Sequence, residues 1–330
     1  MRRKTDAQTK KLGLYRIRSG AAGPSLLASG VPAAAPLTFN VTAAVLGVTL
    51  GFAVALLIIS AIRKKLHAAA VDEQSPADQP PPLPAPEKVT TWWCRTFDWV
   101  GLVLITGIFS LFGFSQAFAE KKEMLEKVTP FQIIANIIIS AFLVGMVVSL
   151  VAWRVRPVQW LGLRWKQWYL ALFIGPSAVI LMWLMLGLLN WCGYIAWMES
   201  LIGESSVQDA VKMLRESGDA MIVGLMAFSA VLLAPVAEEI IFRGYLYPVA
   251  KKFSNVRIGM LFSALVFAVG HGNAPLLLPL FLLGLILAAA YEWTGSLWAS
   301  ISVHLCFNAA TVAIQLAVRA GWLTIPEQIQ

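Results

Sequence analysis

Glu238, Glu239 and Arg243 stand within six residues of one another in "PVAEEIIFRGY" (235–245), directly after the apolar run "VGLMAFSAVLLA". A charged side chain at the centre of a membrane helix costs about 2.5–3.5 kcal/mol, so three together need partners or a use. On an α-helix, residues four apart share a face, and Glu239 and Arg243 are therefore expected to pair with each other. Glu238 points about 100° away and has no partner in its own helix. The spacing thus assigns Glu239 and Arg243 to support and offers Glu238 to a cavity. Pro235 removes a backbone donor just upstream, which frees a carbonyl and opens space.

The chain has three histidines, and two fall within apolar stretches: His271 ends "FSALVFAVGH" and His304 lies in "SISVHLCFN". Either one alone is equally readable as interhelical hydrogen-bonding glue. Depth ties them to Glu238. The basic turn centred near 254–255 follows Glu238 by 16 to 17 residues and precedes His271 by the same number. In a regular helical hairpin the two sit at one level, roughly 25 Å from the turn. His304 and Asn308, four apart, share a face of the last apolar segment, roughly 12 and 18 Å from its start. A carboxylate beside imidazoles in a low-dielectric pocket can deprotonate water, while imidazole and amide N–H groups can stabilise an oxyanion. That is equipment for peptide-bond hydrolysis without a serine or cysteine nucleophile. Glu238, His271 and His304 could instead hold a zinc ion with an open fourth position.

These residues require helices of membrane length to position them. The 330-residue chain is 58% hydrophobic with a mean hydropathy of +0.71. That composition belongs to a membrane protein. Eight apolar stretches, near 38–62, 97–118, 131–153, 169–191, 220–248, 256–273, 275–293 and 296–318, are too long for barrel strands. The expected fold is all-α, a polytopic transmembrane bundle of about eight helices with the site inside it. Residues 1–36 read as a basic disordered tail, 37–66 as an appended membrane helix and 67–95 as a proline-rich linker containing "SPADQPPPLPAPEK". Residues 96–219 hold helices two to four and a surface segment (198–219), and 220–320 the catalytic core. Trp92, Trp93, Trp160, Trp165, Trp168, Trp191, Trp293 and Trp298 fall at helix ends and are expected at headgroup level.

The net charge of +8 resides at helix ends and in the tail, which favours anionic lipid headgroups and no nucleic acid as partner. Cys94, Cys192 and Cys306 have neither disulfide nor metal-ligand spacing. Walker A, GxGxxG and HExxH patterns are absent from the sequence.

"EEIIFRG" (238–244), "FAVGH" (267–271) and "HLCFN" (304–308) resemble, in order, the EExxxR, FxxxH and HxxxN motifs of the CAAX protease and bacteriocin-processing (CPBP, or Abi) intramembrane endopeptidases. The resemblance covers about 220–315. It implies a membrane-embedded endopeptidase similar to the type II CAAX prenyl proteases, which remove the last three residues after a prenylated cysteine. Glu238 and His271 would activate water, His304 and Asn308 would form the oxyanion hole, and Glu239 and Arg243 would support the site. Metal use is left open by the resemblance, with zinc the candidate. The implied partner is a membrane-bound or lipidated peptide substrate, and the implied location is the plasma or inner membrane. Two other readings stand beside it: a noncatalytic scaffold or immunity-type protein that keeps the motifs for packing, and a proton-coupled transporter, for which no inverted repeat is found.

Overall fold

The structure, a computed structural model, describes residues 47–62 except 57 and 60, residue 65, and residues 88–118, 128–203 and 205–324. The N-terminal tail, the start of the first apolar segment and most of the proline-rich stretch lie outside the described residues. All described residues belong to one compact unit. The described chain is helical, with no strand among the described residues.

Among the described residues ten helices of eight residues or more follow in order: α1 (Gly47–Leu56), α2 (Asp98–Phe118), α3 (Pro130–Ala152), α4 (Ala171–Trp191), α5 (Tyr194–Ile202), α6 (Asp209–Glu216), α7 (Ala220–Phe253), α8 (Val256–Gly270), α9 (Leu277–Thr294) and α10 (Leu297–Arg319). Among the described residues five helical segments are long and apolar enough to cross a membrane: α3, α4 with its leading turn, α7, α9 and α10. The apolar helices α1, α2 and α8 are shorter by that measure, so each of the eight expected apolar segments is helical over its described residues. The protein is an all-α polytopic membrane bundle.

Local chemistry sets the helix starts. Thr129 and Gln132 form a reciprocal capping box before Pro130 at the first turn of α3. Asp219 caps α7 through Met221 N–H (2.8 Å), and Asn255 caps α8 through Ile258 N–H (3.0 Å). Gly272, at φ 62°, stops α8 with a left-handed residue immediately after His271.

The strongest departure from a regular helix is in α7. This 34-residue helix widens to π geometry at Ser229–Leu233 and again at Ile240–Leu246. Prolines account for the carbonyls left over. Ala234 N–H reaches back to Ser229 O, and the next residue, Pro235, has no N–H for Ala230 O. Pro248 likewise cannot serve Gly244 O, which accepts instead from Trp160 Nε1 at 2.7 Å. Both orphans recur below as anchoring points.

One expectation is corrected here. Trp93 and Trp160 are not headgroup anchors: they are 3% and 2% exposed and pack edge to face at 5.9 Å. Burial suits them because Trp160 finds the Gly244 carbonyl, whereas Trp92, Trp191 and Trp293 are exposed as expected. Residues 88–97 pack against the bundle. Val89, Trp93 and Cys94 are buried, and Lys251 Nζ and Arg154 Nη1 donate to Val89 O (3.0 Å) and Trp93 O (3.1 Å). The stretch 88–97 is therefore a strap across helix ends, closed by the buried Arg154–Asp98 pair at 2.8 Å. Helix α1 packs on the bundle: Ala53 and Leu56 are buried, and the Phe52 ring meets Phe262 of α8 at 5.5 Å.

Candidate active site

Glu239 and Arg243 meet as expected, with Oε1 and Nη1 2.8 Å apart and both side chains fully buried. Burying an ion pair stabilises little unless the remaining donors and acceptors are also met, and here they are met in part, with Glu239 Oε2 and Arg243 Nε buried without a hydrogen-bond partner. Arg243 Nη2 donates to Gly284 O at 3.0 Å, and its guanidinium lies over the Phe267 ring at 4.5 Å. A Cβ on Gly284 would lie 2.9 Å from Ala264 Cα, so glycine is what lets α9 come this close to α8. Glu239 Oε1 also accepts from His304 Nδ1 at 3.0 Å.

That last bond fixes the histidine. A carboxylate oxygen only accepts, so Nδ1 of His304 carries the proton and Nε2 of the neutral ring presents a lone pair. The same logic holds for His271, whose Nδ1 lies 2.8 Å from Phe267 O and must donate to it. Both Nε2 atoms converge on one oxygen: Glu238 Oε2 is 3.8 Å from His304 Nε2 and 4.0 Å from His271 Nε2. This Glu238 oxygen is buried without a hydrogen-bond partner. Gaps of this width are too long for direct hydrogen bonds and suit a bridging group.

Phe267 links these parts. Its carbonyl orients His271, and its ring lies 4.6 Å from the His271 ring, 5.7 Å from the His304 ring and below Arg243. Sequence reading used Phe267 as a motif position and gave it no role. The recognisable signal was its place one helical turn before His271, from which a backbone carbonyl reaches an imidazole.

Asn308 is held by a backbone carbonyl of α7. Its Nδ2 donates to Ala230 O at 2.8 Å, satisfying the carbonyl that Pro235 leaves open. Asn308→Ala is expected to destabilise the protein by about 1–3 kcal/mol, the cost of an unsatisfied buried group. In a Pro235→Ala background an amide becomes available and that cost should shrink. Detergent melting curves of the four proteins measure this coupling, and an undiminished loss would contradict it.

A cavity of about 610 Å³ opens beside Glu238 and His271. Phe109, Phe112, Ile139, Leu143, Ile241 and Phe242 supply apolar wall, while Asn136 and Ser140 of α3, Gln208 and Asp209 at the start of α6, and Asn273 supply polar positions. Asn273 Nδ2 also holds the chain before α6 through Ser205 O at 3.2 Å. His304 and Asn308 do not line the cavity. None of the polar wall residues on α3 or α6, nor Asn273, was singled out from sequence. Asn136 was detectable as the one amide of a 23-residue apolar span beyond Gln132, which serves the cap.

The donor types at Glu238, His271 and His304 are those of a zinc set, and each imidazole has its outer nitrogen anchored as such ligands require. The spacing differs. Neighbouring ligands on a tetrahedral zinc with bonds of about 2.0–2.1 Å lie roughly 3.3 Å apart, less than the 3.8 and 4.0 Å separations here. Among the described residues no group of three or more His, Cys, Asp or Glu side chains is arranged to hold a metal ion. As the side chains stand, the gaps fit water.

Comparison with known proteins points the same way as the motifs. Residues 221–310 match the family model described as "Type II CAAX prenyl endopeptidase Rce1-like". A Bacillus subtilis (strain 168) protein named "Putative membrane peptidase YdiL" is 31% identical over 94 residues. The alignment covers 28% of this chain and 38% of the relative, so the chain spans well under half of that relative's length. No solved structure matches.

Proposed function

We propose that this membrane protein is an intramembrane endopeptidase that hydrolyses a peptide bond of a membrane-associated substrate with a water activated by Glu238 and His271, a reading supported by the match of residues 221–310 to the type II CAAX prenyl endopeptidase Rce1-like family model. The carrying observation is the unpartnered, buried Glu238 Oε2 facing the Nε2 atoms of two histidines at the edge of an apolar cavity.

A water between Glu238 and His271 donates one hydrogen to Oε2 and the other to Nε2, which turns its lone pairs toward the cavity. As the water oxygen attacks the carbonyl carbon, Glu238 takes one proton and later delivers it to the departing amine. His304 Nε2 faces the same Glu238 oxygen and can accept from it once it is protonated. The chain Glu238–His304–Glu239–Arg243 therefore backs the base with fixed charges and dipoles. For the oxyanion, the assigned donors are His304 Nε2 when that ring is doubly protonated and the second amide hydrogen of Asn308. The apolar walls suit a substrate carrying a lipid or an apolar segment, of which a prenylated, CAAX-type C-terminus is the leading candidate. The surrounding partner is the lipid bilayer, with anionic headgroups at the basic helix ends, and the proposed location is the plasma or inner membrane.

The test is product mass. Purified protein in liposomes is offered farnesylated CAAX peptides, the same peptides without lipid, and unlipidated transmembrane peptides, each with and without a zinc chelator. Cleavage at one bond supports the reading, and the preferred peptide names the substrate class. Loss of cleavage on chelation, restored by zinc, would replace the carboxylate-activated water with metal chemistry. No cleavage of any peptide would contradict the proposal.

A further inference from the structure

Helix α3 carries polar groups for which the fold itself has no use. Asn136 and Ser140 lie in an apolar span, are exposed and make no hydrogen bond among the described residues. Other helical serines behave differently: Ser149 and Ser302 return their hydroxyls to Met146 O and Ala299 O of their own helices. An amide and a hydroxyl free at membrane depth are costly unless they face a cavity or a ligand. Both line the cavity that holds Glu238 and His271.

Their spacing indicates the ligand. Residues four apart on a helix are separated by roughly 6 Å along its axis. Alternate residues of an extended peptide repeat at roughly 6.7 Å. Asn136 offers two donors and an acceptor, and Ser140 offers one donor and an acceptor. A peptide entering this apolar cavity must satisfy its backbone N–H and C=O groups there, and a helical segment has already used them internally.

Resting on the protease reading, we propose that Asn136 and Ser140 form a substrate-positioning wall that hydrogen-bonds the backbone of an extended, unwound peptide across from Glu238. These are positioning residues, and the specificity they confer is for backbone conformation and not for a particular side chain.

The test is a KM-against-kcat comparison in liposomes with a farnesylated CAAX peptide and an unlipidated transmembrane peptide bearing an unwound Gly-Pro segment. Asn136→Leu should raise KM about tenfold and Ser140→Ala about threefold, with kcat held within about twofold. Asn136→Gln should recover part of the loss. N-methylating, one at a time, the backbone amides flanking the scissile bond should raise KM for the wild type at one position. That same methyl should add nothing in Asn136→Leu, because the bond is already gone. Asn136→Ala provides a second truncation if leucine alters the melting temperature. Unchanged KM in both Asn136 truncations, or a fall in kcat at constant KM, would overturn the wall while leaving the protease reading intact. Failure of the wild type to cleave either peptide would overturn both.

Discussion

Glu238→Gln is expected to lower turnover about 10³-fold, equivalent to about 4 kcal/mol of transition-state stabilisation, while the protein remains as heat-stable as the wild type. The two readouts separate for a structural reason. Glu238 Oε2 makes no hydrogen bond, so the isosteric amide gives up no packing contact and no ion pair at bonding distance. What it loses is the ability to take a proton from water. If the EExxxR, FxxxH and HxxxN positions served packing alone, as in the scaffold reading, the same variant would alter stability or nothing. Full activity in Glu238→Gln would remove the proposed base.

Arg243→Met should behave in the opposite way, with stability falling by about 3–5 kcal/mol. The substitution leaves Glu239 charged in a fully buried position, strands Gly284 O and removes the cation held over Phe267. Because Glu239 also anchors His304, activity should fall along with stability. Adding Glu239→Gln should recover part of the stability by removing the uncompensated charge. Activity should remain low in the double variant, since the histidine then loses its charged anchor. Detergent melting with parallel turnover measurements checks this pattern, and an Arg243→Met protein that melts like the wild type would refute the buried-pair argument.

Much of this was legible because membrane burial makes polar residues conspicuous. The i,i+4 rule predicted the Glu239–Arg243 pair, and equal distance from the turn near 254–255 predicted that Glu238 and His271 would meet. The pair meets as expected even though Ile240–Leu246 is π-helical. His304 was placed too shallow relative to Glu238 by residue counting. The chain ends that such counting starts from are not level: α7 has 34 residues and runs on to Phe253, well beyond what a bilayer requires.

What stayed hidden depends on contacts between distant parts of the chain. The two nitrogens of an imidazole look alike in a sequence. Their roles emerge only when Phe267 O and Glu239 Oε1 claim the Nδ1 atoms. The Asn308 interaction needed two facts at once, a π-turn that shifts hydrogen bonds by one residue and a proline at the position that would have served Ala230. Trp160 was assigned to the membrane surface because tryptophan suits headgroups, whereas the carbonyl it serves becomes available only through Pro248, far along the chain. Asn136 was overlooked because a single amide in the body of an apolar span carries little periodic signal, and the cavity that explains it is built from five helices and a loop.

The central claim, that a water prepared by Glu238 attacks a peptide bond inside the membrane, is tested most directly by single-turnover cleavage in ¹⁸O-labelled water with the products weighed by mass spectrometry. Wild-type protein is expected to yield two fragments whose masses sum to substrate plus one water, with one ¹⁸O in the new carboxylate, while Glu238→Gln yields none on the same timescale. Equal product from both proteins, or no product from the wild type, would contradict the claim.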